Sequence, residues 1–390
     1  MGLPTRYNVM SLFARPVGTI SSILLIAIVI AVFSYLQAIT DSAFSVMSRT
    51  GDPLTVLVVS QSADSEAVSG FGKDQFNKLE LAPKLATDAD GALMSAELVA
   101  ISSAASFENP EVKVNACVRG VNFARANAVR DGRVKLIEGR VFNPGTYEVI
   151  VGESAAGTWM EHQLGDEVEI GNRGVRKFKV VGIFSTGGTA ADSEIWGYVE
   201  TLRDVYGRNG YSSARLRAAS ETGASEMIQY IEGPSVELTA TTERDYFADM
   251  SRGQQATQVF SLAMIVILGI ASAFAVANTM YAAVAGRSRE IGMLRAMGYS
   301  SGSVLVSFMM EGIFVSLAGG ILGCLMSLFA NGLRENILPG AFTTVSYQLT
   351  ITPKVIGVSL AVALIIGFVG SIIPASRAAR MPVTIALREA

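Results

Sequence analysis

Four stretches of this 390-residue chain contain no Asp, Glu, Lys or Arg: residues 16–40, 253–286, 312–333 and 355–376. About 20 predominantly apolar residues make a bilayer-spanning helix, so each stretch suffices. The first is longer than a signal-peptide core and lacks an A-x-A-like cleavage site, so it reads as a retained anchor. The second, as one helix at ~1.5 Å per residue, would reach roughly 50 Å against a hydrocarbon core of ~30 Å. Part of it should therefore project into water, and the first run also continues past Asp41 with Ala43, Phe44 and Met47 at helical spacing. These two runs flank a long polar segment, 41–252, which they would carry as a two-helix stalk.

Charge sorts the remaining segments. Residues 41–252 hold 30 acids and 21 bases, whereas everything else holds 4 acids and 10 bases. Most of those ten bases fall in short stretches beside the spans: Arg6 and Arg15; Arg287, Arg289 and Arg295; Arg377, Arg380 and Arg388. Clustered arginine beside a span marks the cytoplasmic side. Both termini are then expected inside, with 41–252 and the loop 334–354 outside. The expected order is an interfacial helix at 1–15, span one at 16–40, the outer domain at 41–252 and span two with stalk at 253–286. A cytoplasmic loop at 287–304, span three at 305–333, the outer loop, span four at 355–376 and a cytoplasmic tail at 377–390 complete it. With two cysteines and one histidine, neither a disulfide scaffold nor a His-rich metal cluster is available. The acidic polar segment disfavours nucleic acid.

The outer segment reads as α+β. Strand patterns run over 54–60, 96–102, 112–118, 147–151, 167–170, 178–184 and 214–217, and helical ones over 74–85, 155–162 and 225–231. The strands cluster rather than alternating with helices, which argues against βαβ repeats. Chemistry-bearing motifs fail on inspection. Asp88, Asp90, Gly91 and Glu97 resemble part of a calcium loop, but Ala86 holds the first ligand position. Gly72-Lys73 resembles the end of a phosphate loop, but Ala67 and Asp74 stand where Gly and Ser/Thr are needed. His162 has no evident nucleophile to serve. Catalytic and metal sites are expected to be absent, and Cys117 is expected to be buried and free.

The loop after the second span reads Arg289-Glu290-Ile291-Gly292-Met293-Leu294-Arg295-Ala296-Met297-Gly298. Ile291, Leu294 and Met297 share a helical face, Gly298 is placed to end the helix, and Ser300 or Ser301 to cap the next. This stretch resembles the E-I-G-x-L-R-A-x-G signature of FtsX/MacB-type ABC transporter permeases. Glu311-Gly312 with Gly319, Gly320 and Gly323 is similar to that family's third span. Pro374-Ala375-Ser376-Arg377-Ala378-Ala379-Arg380-Met381-Pro382, followed by Ala386-Leu387-Arg388, resembles its ending, with Pro382 one residue early. The segments 138–142, 148–152 and 179–182 are similar to a MacB-like periplasmic domain.

The resemblance implies a membrane α-helical fold of four spans with an α+β extracytoplasmic domain between the first two, in a bacterial inner membrane. It implies a homodimer working with two copies of a cytoplasmic ABC ATPase that binds the ATP and Mg, and with a periplasmic adaptor (a membrane fusion protein). No cofactor is expected in this chain, and lacking a nucleotide motif it would need a separate ATPase. Residues 289–298 would then be the coupling helix, with Arg289, Glu290 and Arg295 as polar contacts, Ile291 and Leu294 as apolar ones, and Gly298 ending it. Glu311 is expected at the cytoplasmic interface near Arg295. Gly319, Gly323, Pro374 and Pro382 are expected to be structural, the prolines as part of the family-like tail and the glycines because small residues four apart favour close helix packing. The implied work is mechanotransmission: ATP-driven movement of the outer domain that extrudes amphiphilic, peptide or lipid-linked cargo. A signal transmitter that switches an extracytoplasmic hydrolase has the same architecture, and an anchored binding protein without an ATPase is a third class.

Overall fold

The computed structural model describes residues 16–105, 113–156, 164–171, 176–252, 255–337 and 345–381. The expected interfacial helix at 1–15, His162 and Pro382 lie outside them. The chain forms two compact units, one of residues 1–41, 256–333 and 349–390, the other of 42–255 and 334–348.

In chain order the helices are α1 (Pro16–Thr50), α2 (Lys73–Leu79), α3 (Phe123–Val129), α4 (Glu153–Ala156), α5 (Val199–Tyr206), α6 (Glu221–Glu232) and α7 (Glu243–Arg252). They continue with α8 (Gln255–Ala285), α9 (Ser288–Ala296), α10 (Ser301–Ser327) and α11 (Pro353–Ala379). α1, α8, α10 and α11 are long and apolar enough to cross a membrane. α1 runs unbroken ten residues beyond the first uncharged stretch, because Ala43 and Met47 find a buried apolar face there.

Glycine sets how closely the spanning helices pack. A Cβ on Gly319 of α10 would lie 2.8 Å from the Ile26 Cβ of α1, and one on Gly323 2.5 Å from the Ala27 carbonyl oxygen. Gly320 meets Ala363 of α11 in the same way, and Gly370 of α11 meets the Ala273 carbonyl of α8. In lipid, such backbone approach replaces the hydrophobic drive that operates in water. Ile26, Ile30, Val276, Val315, Ala363 and Ile366 fill the seam. The Ser34 and Ser359 hydroxyls, 2.7 Å apart, pair across it. Pro374 is buried within α11 and removes the N–H that would have bonded the Gly370 carbonyl.

The strands are β1 (Thr55–Ser60), β2 (Thr87–Asp88), β3 (Gly91–Ala92), β4 (Met94–Ala105), β5 (Lys113–Val121), β6 (Lys135–Gly139) and β7 (Glu148–Gly152). Then come β8 (Glu167–Ile170), β9 (Arg176–Ser185), β10 (Glu194–Tyr198), β11 (Ser213–Arg217), β12 (Leu238–Thr242), β13 (Arg334–Ile337) and β14 (Val345–Gln348). Ten of them form one mixed sheet in the order β12-β1-β11-β4-β5-β10-β7-β9-β6, with β8 on β9. β5 with β10 and β7 with β9 are parallel, and the other pairs are antiparallel. β4 joins the halves: its residues 94–97 pair with β11, and 98–105 pair with β5. Strand periodicity sends Val149, Val151 and Ile195 into one core with Leu98, Leu202 and Met227. Their neighbours Ile150 and Trp196 enter a second core with Phe142 and Phe184. Both faces are covered, which is why these strands read as continuous apolar runs.

The structure departs from the sequence reading in several places. The helix expected over 74–85 ends at Leu79. α3, α5, β6, β10 and β12 were not anticipated. The outer loop between the third and fourth spans contains the β13–β14 hairpin, whose Val345 and Tyr347 are buried. Val345 packs with Met47, Ala190 and Phe247, so the hairpin belongs to the outer unit.

Candidate functional site

α9 lies in the short connection between two spanning helices, and both its ends are specified locally. At its C-terminus the Tyr299 N–H donates to the Leu294 carbonyl at 3.1 Å and the Gly298 N–H to the Arg295 carbonyl at 3.2 Å. This Schellman pair requires a left-handed residue, and Gly298 supplies it at φ +93°. Ser300 then caps α10, its hydroxyl accepting the Ser303 N–H at 3.2 Å. At the other end Arg287 acts as a clamp. It donates from Nη1 to Glu311 at 3.1 Å and from Nε to Glu290 at 3.2 Å, and its guanidinium lies 5.6 Å from the Phe308 ring centre.

Two assignments change with this geometry. Glu311 is buried and pairs with Arg287, whereas Arg295 donates to the Ser301 hydroxyl. Arg287 lies outside the ten-residue signature, so residue order marks it only as one of the arginines beside a span. Ile291, expected to contact a partner, is 2% exposed among Val284, Phe308 and Ala378, and Leu294 is half-buried. The open apolar surface belongs to Met293 and Met297, at 50% and 69% exposure, beside exposed Arg289 and Glu290. α9 is thus anchored by Ile291 and Arg287 and presents a mixed charged and methionine surface, a flexible apolar kind suited to docking.

The outer unit contains a second polar constellation that sequence reasoning did not find. Arg119, Arg215, Glu66, Glu97, Glu194 and Glu243 are all buried. Arg119 holds Glu194 bidentately, with both contacts at 2.7 Å, and Trp196 Nε1–H donates to the same carboxylate at 2.7 Å. Glu97 accepts from Arg119 and Arg130 at 2.7 Å each and from Arg215. Glu66 accepts from Arg215 at 2.8 Å, from Arg119 at 3.0 Å and from the Ser213 hydroxyl at 2.6 Å. Glu243, opening α7, accepts from Arg215 Nε at 3.0 Å. Burial works to raise the Glu97 carboxyl, but Arg130, Arg215 and Arg119 together outweigh it and hold it at about 2. Glu66 is likewise held well below the usual carboxylate range, Arg119 and Arg215 overcoming its burial. Cys117 is buried and free, and burial beside Glu194 pushes its thiol up. Charged residues inside the strand runs 95–99 and 116–121 were the available signal. Among the described residues, no group of His, Cys, Asp and Glu is arranged to hold a metal.

Comparison with known proteins bears on both units. The pattern of the MacB-like periplasmic core domain matches residues 19–233, more than half of the chain, and that of the FtsX-like permease C-terminal region matches 262–383. The chain belongs to the FtsX/MacB-type ABC transporter permeases. The macrolide export ATP-binding/permease protein MacB 1 of Aeromonas hydrophila is 27% identical over 264 residues, 63% of this permease and 40% of that protein. MacB of Agrobacterium fabrum is 23% identical over 299 residues, 72% and 44% of the two chains. This permease therefore spans less than half the length of these relatives. Among solved structures, the periplasmic region of MacB from Actinobacillus actinomycetemcomitans aligns with a TM-score of 0.37 at 13% identity, over 52% of this chain and 94% of that one. The extracellular domain of the Gram-positive transporter YknZ aligns at 0.35 and 17%, over 48% and 100%. Four apolar spans and this family membership make the chain a multi-pass membrane protein.

Proposed function

We propose that this permease couples ATP hydrolysis by a separate cytoplasmic ATPase to movement of its outer unit, and that this movement exports or extrudes amphiphilic, peptide or lipid-linked cargo. The observation that carries the reading is α9. It is a short helix clamped by Arg287, closed by Gly298 and left with Arg289, Glu290, Met293 and Met297 open to a partner. Its contacts within the spanning unit, through Ile291 and Glu311, give a docked ATPase a rigid lever. The working assembly is a homodimer in the bacterial inner membrane, both termini cytoplasmic, with two ATPase copies binding ATP and Mg and an adaptor outside. Relatives named for macrolide export favour export over control of a hydrolase.

The test is co-purification of the ATPase with the detergent-solubilised permease. Met297→Asp and Arg289→Glu are expected to reduce ATPase recovery at least tenfold while leaving outer-unit tryptophan fluorescence unchanged. Full recovery with both variants would remove α9 as the coupling element. Stimulation of the assembled ATPase by amphiphilic cargo supports export, whereas stimulation only by an extracytoplasmic hydrolase supports signalling.

A further inference from the structure

The outer unit contains a cavity of about 50 Å³ where the end of α1 meets the sheet. Its wall includes Arg49 of α1, Thr55 at the start of β1 and Arg133 after α3, together with Arg119, Arg130 and Arg215 and the acids Asp52, Glu194 and Glu243. A water occupies ~10–15 Å³ by this kind of measure, so the cavity admits a group of a few heavy atoms and no cargo-sized molecule.

Two observations distinguish it from a packing gap. Thr55 is fully buried, and its hydroxyl oxygen has no hydrogen-bond partner. A buried hydroxyl without a partner is destabilising, so it calls for something in the free space. The Arg49 side chain, in the last turn of α1, makes no hydrogen bond or ion pair with any described residue. Arg133 is half exposed and reaches Asp52 at 3.3 Å, but Arg217 holds that same carboxylate at 3.3 Å. Arg217 has a second, exposed partner in Asp131 at 3.5 Å. Deeper in the wall, Arg119, Arg130 and Arg215 are met by Glu66, Glu97, Glu194 and Glu243. At the mouth Arg133 and Arg217 share the Asp52 carboxylate, and Arg49 is the charged side chain of the wall that has no partner among the described residues. Arg49 is exposed, so the cavity joins an open arginine at its mouth to the buried Thr55 hydroxyl in its wall.

We propose that this cavity binds a small oxyanion, a carboxylate or phosphoryl group, with Arg49 and Arg133 donating charge-assisted hydrogen bonds and the Thr55 hydroxyl donating from the buried side. The bound group ties the end of α1 to the turn after α3. The site is independent of the coupling function assigned to α9.

The experiment is thermal unfolding of the full chain in detergent, followed by tryptophan fluorescence. Both tryptophans belong to the segment 41–252. Sodium phosphate and sodium acetate are titrated against sodium chloride at matched ionic strength. A saturable rise in Tm is expected, and Arg49→Gln raises the half-saturating concentration about tenfold, the usual scale for one charge-assisted contact. Thr55→Val also weakens the response, without lowering Tm in chloride, because the hydroxyl it removes had no partner. A stronger response to acetate identifies a carboxylate ligand, and a stronger response to phosphate a phosphoryl one. Identical melts in the three salts, or a response that Arg49→Gln leaves unchanged, overturn the proposal.

Discussion

Arg215→Met isolates the buried charge network. In the native unit, Arg119, Arg130 and Arg215 face Glu66, Glu97, Glu194 and Glu243. The substitution keeps an unbranched side chain of similar length and leaves four carboxylates against two guanidiniums. Removing one partner from a buried pair costs about 3–5 kcal/mol, mostly because the other charge stays buried and uncompensated. For a domain of 150–250 residues each kcal/mol lowers Tm by roughly 2–4 °C, so a drop of about 6–20 °C is expected. Trp196 is the natural reporter, since it is fully buried and donates to Glu194. Acid supplies an internal check. The folded Glu97 carboxyl is held at about 2, below its ordinary 4.5. A depressed carboxylate contributes stability above its unfolded pKa and loses it as pH falls toward the folded value. The wild-type Tm should therefore fall between pH 4.5 and 2. Arg215→Met, whose carboxylates are less depressed, should lose less, so the two curves converge. A variant melting within 2 °C of wild type at pH 7, or a gap that widens in acid, refutes the reasoning.

Two further outcomes test the helical unit. Gly319→Val should force α1 and α10 apart, because its Cβ would stand 2.8 Å from the Ile26 Cβ and 2.9 Å from the Ile23 carbonyl. A marked loss of monodisperse protein on size exclusion is expected, with Gly357→Val, which meets nothing within 4 Å, as the silent control. Gly298→Ala places a Cβ on a residue at φ +93°, a strain of about 1–3 kcal/mol. Amide hydrogen exchange in α9 should accelerate severalfold while the outer unit's melt stays fixed.

Much of this architecture was legible in residue order. The four uncharged runs correspond to the four spanning helices, because hydrocarbon imposes a length and excludes charge, and both constraints are visible one residue at a time. Gly298 and Ser300 announced the ends of α9 and α10 through backbone chemistry that needs only near neighbours. The strands seen in advance, such as 167–170, carry a clean apolar pattern, whereas β12 reads Leu238-Thr239-Ala240-Thr241-Thr242 and β6 is mostly exposed. The burial of Ile291 was hidden because helical periodicity gives a face without saying what covers it. The charge network was hidden for a related reason: Glu66, Arg119, Glu194 and Glu243 meet only after the sheet has ordered strands far apart in the chain. No local rule distinguishes a buried arginine in a strand from one at an exposed edge.

The placement of the β13–β14 hairpin has a consequence for the order in which the chain can fold. The chain passes between the two units four times, after residues 41, 255, 333 and 348. The outer unit is therefore assembled from two separate segments, 42–255 and 334–348. Val345 of the second segment shares a buried core with Met47, Ala190 and Phe247 of the first. That core can close only after the third spanning helix and the hairpin have been synthesised, so the outer unit waits on the membrane unit for its last strands.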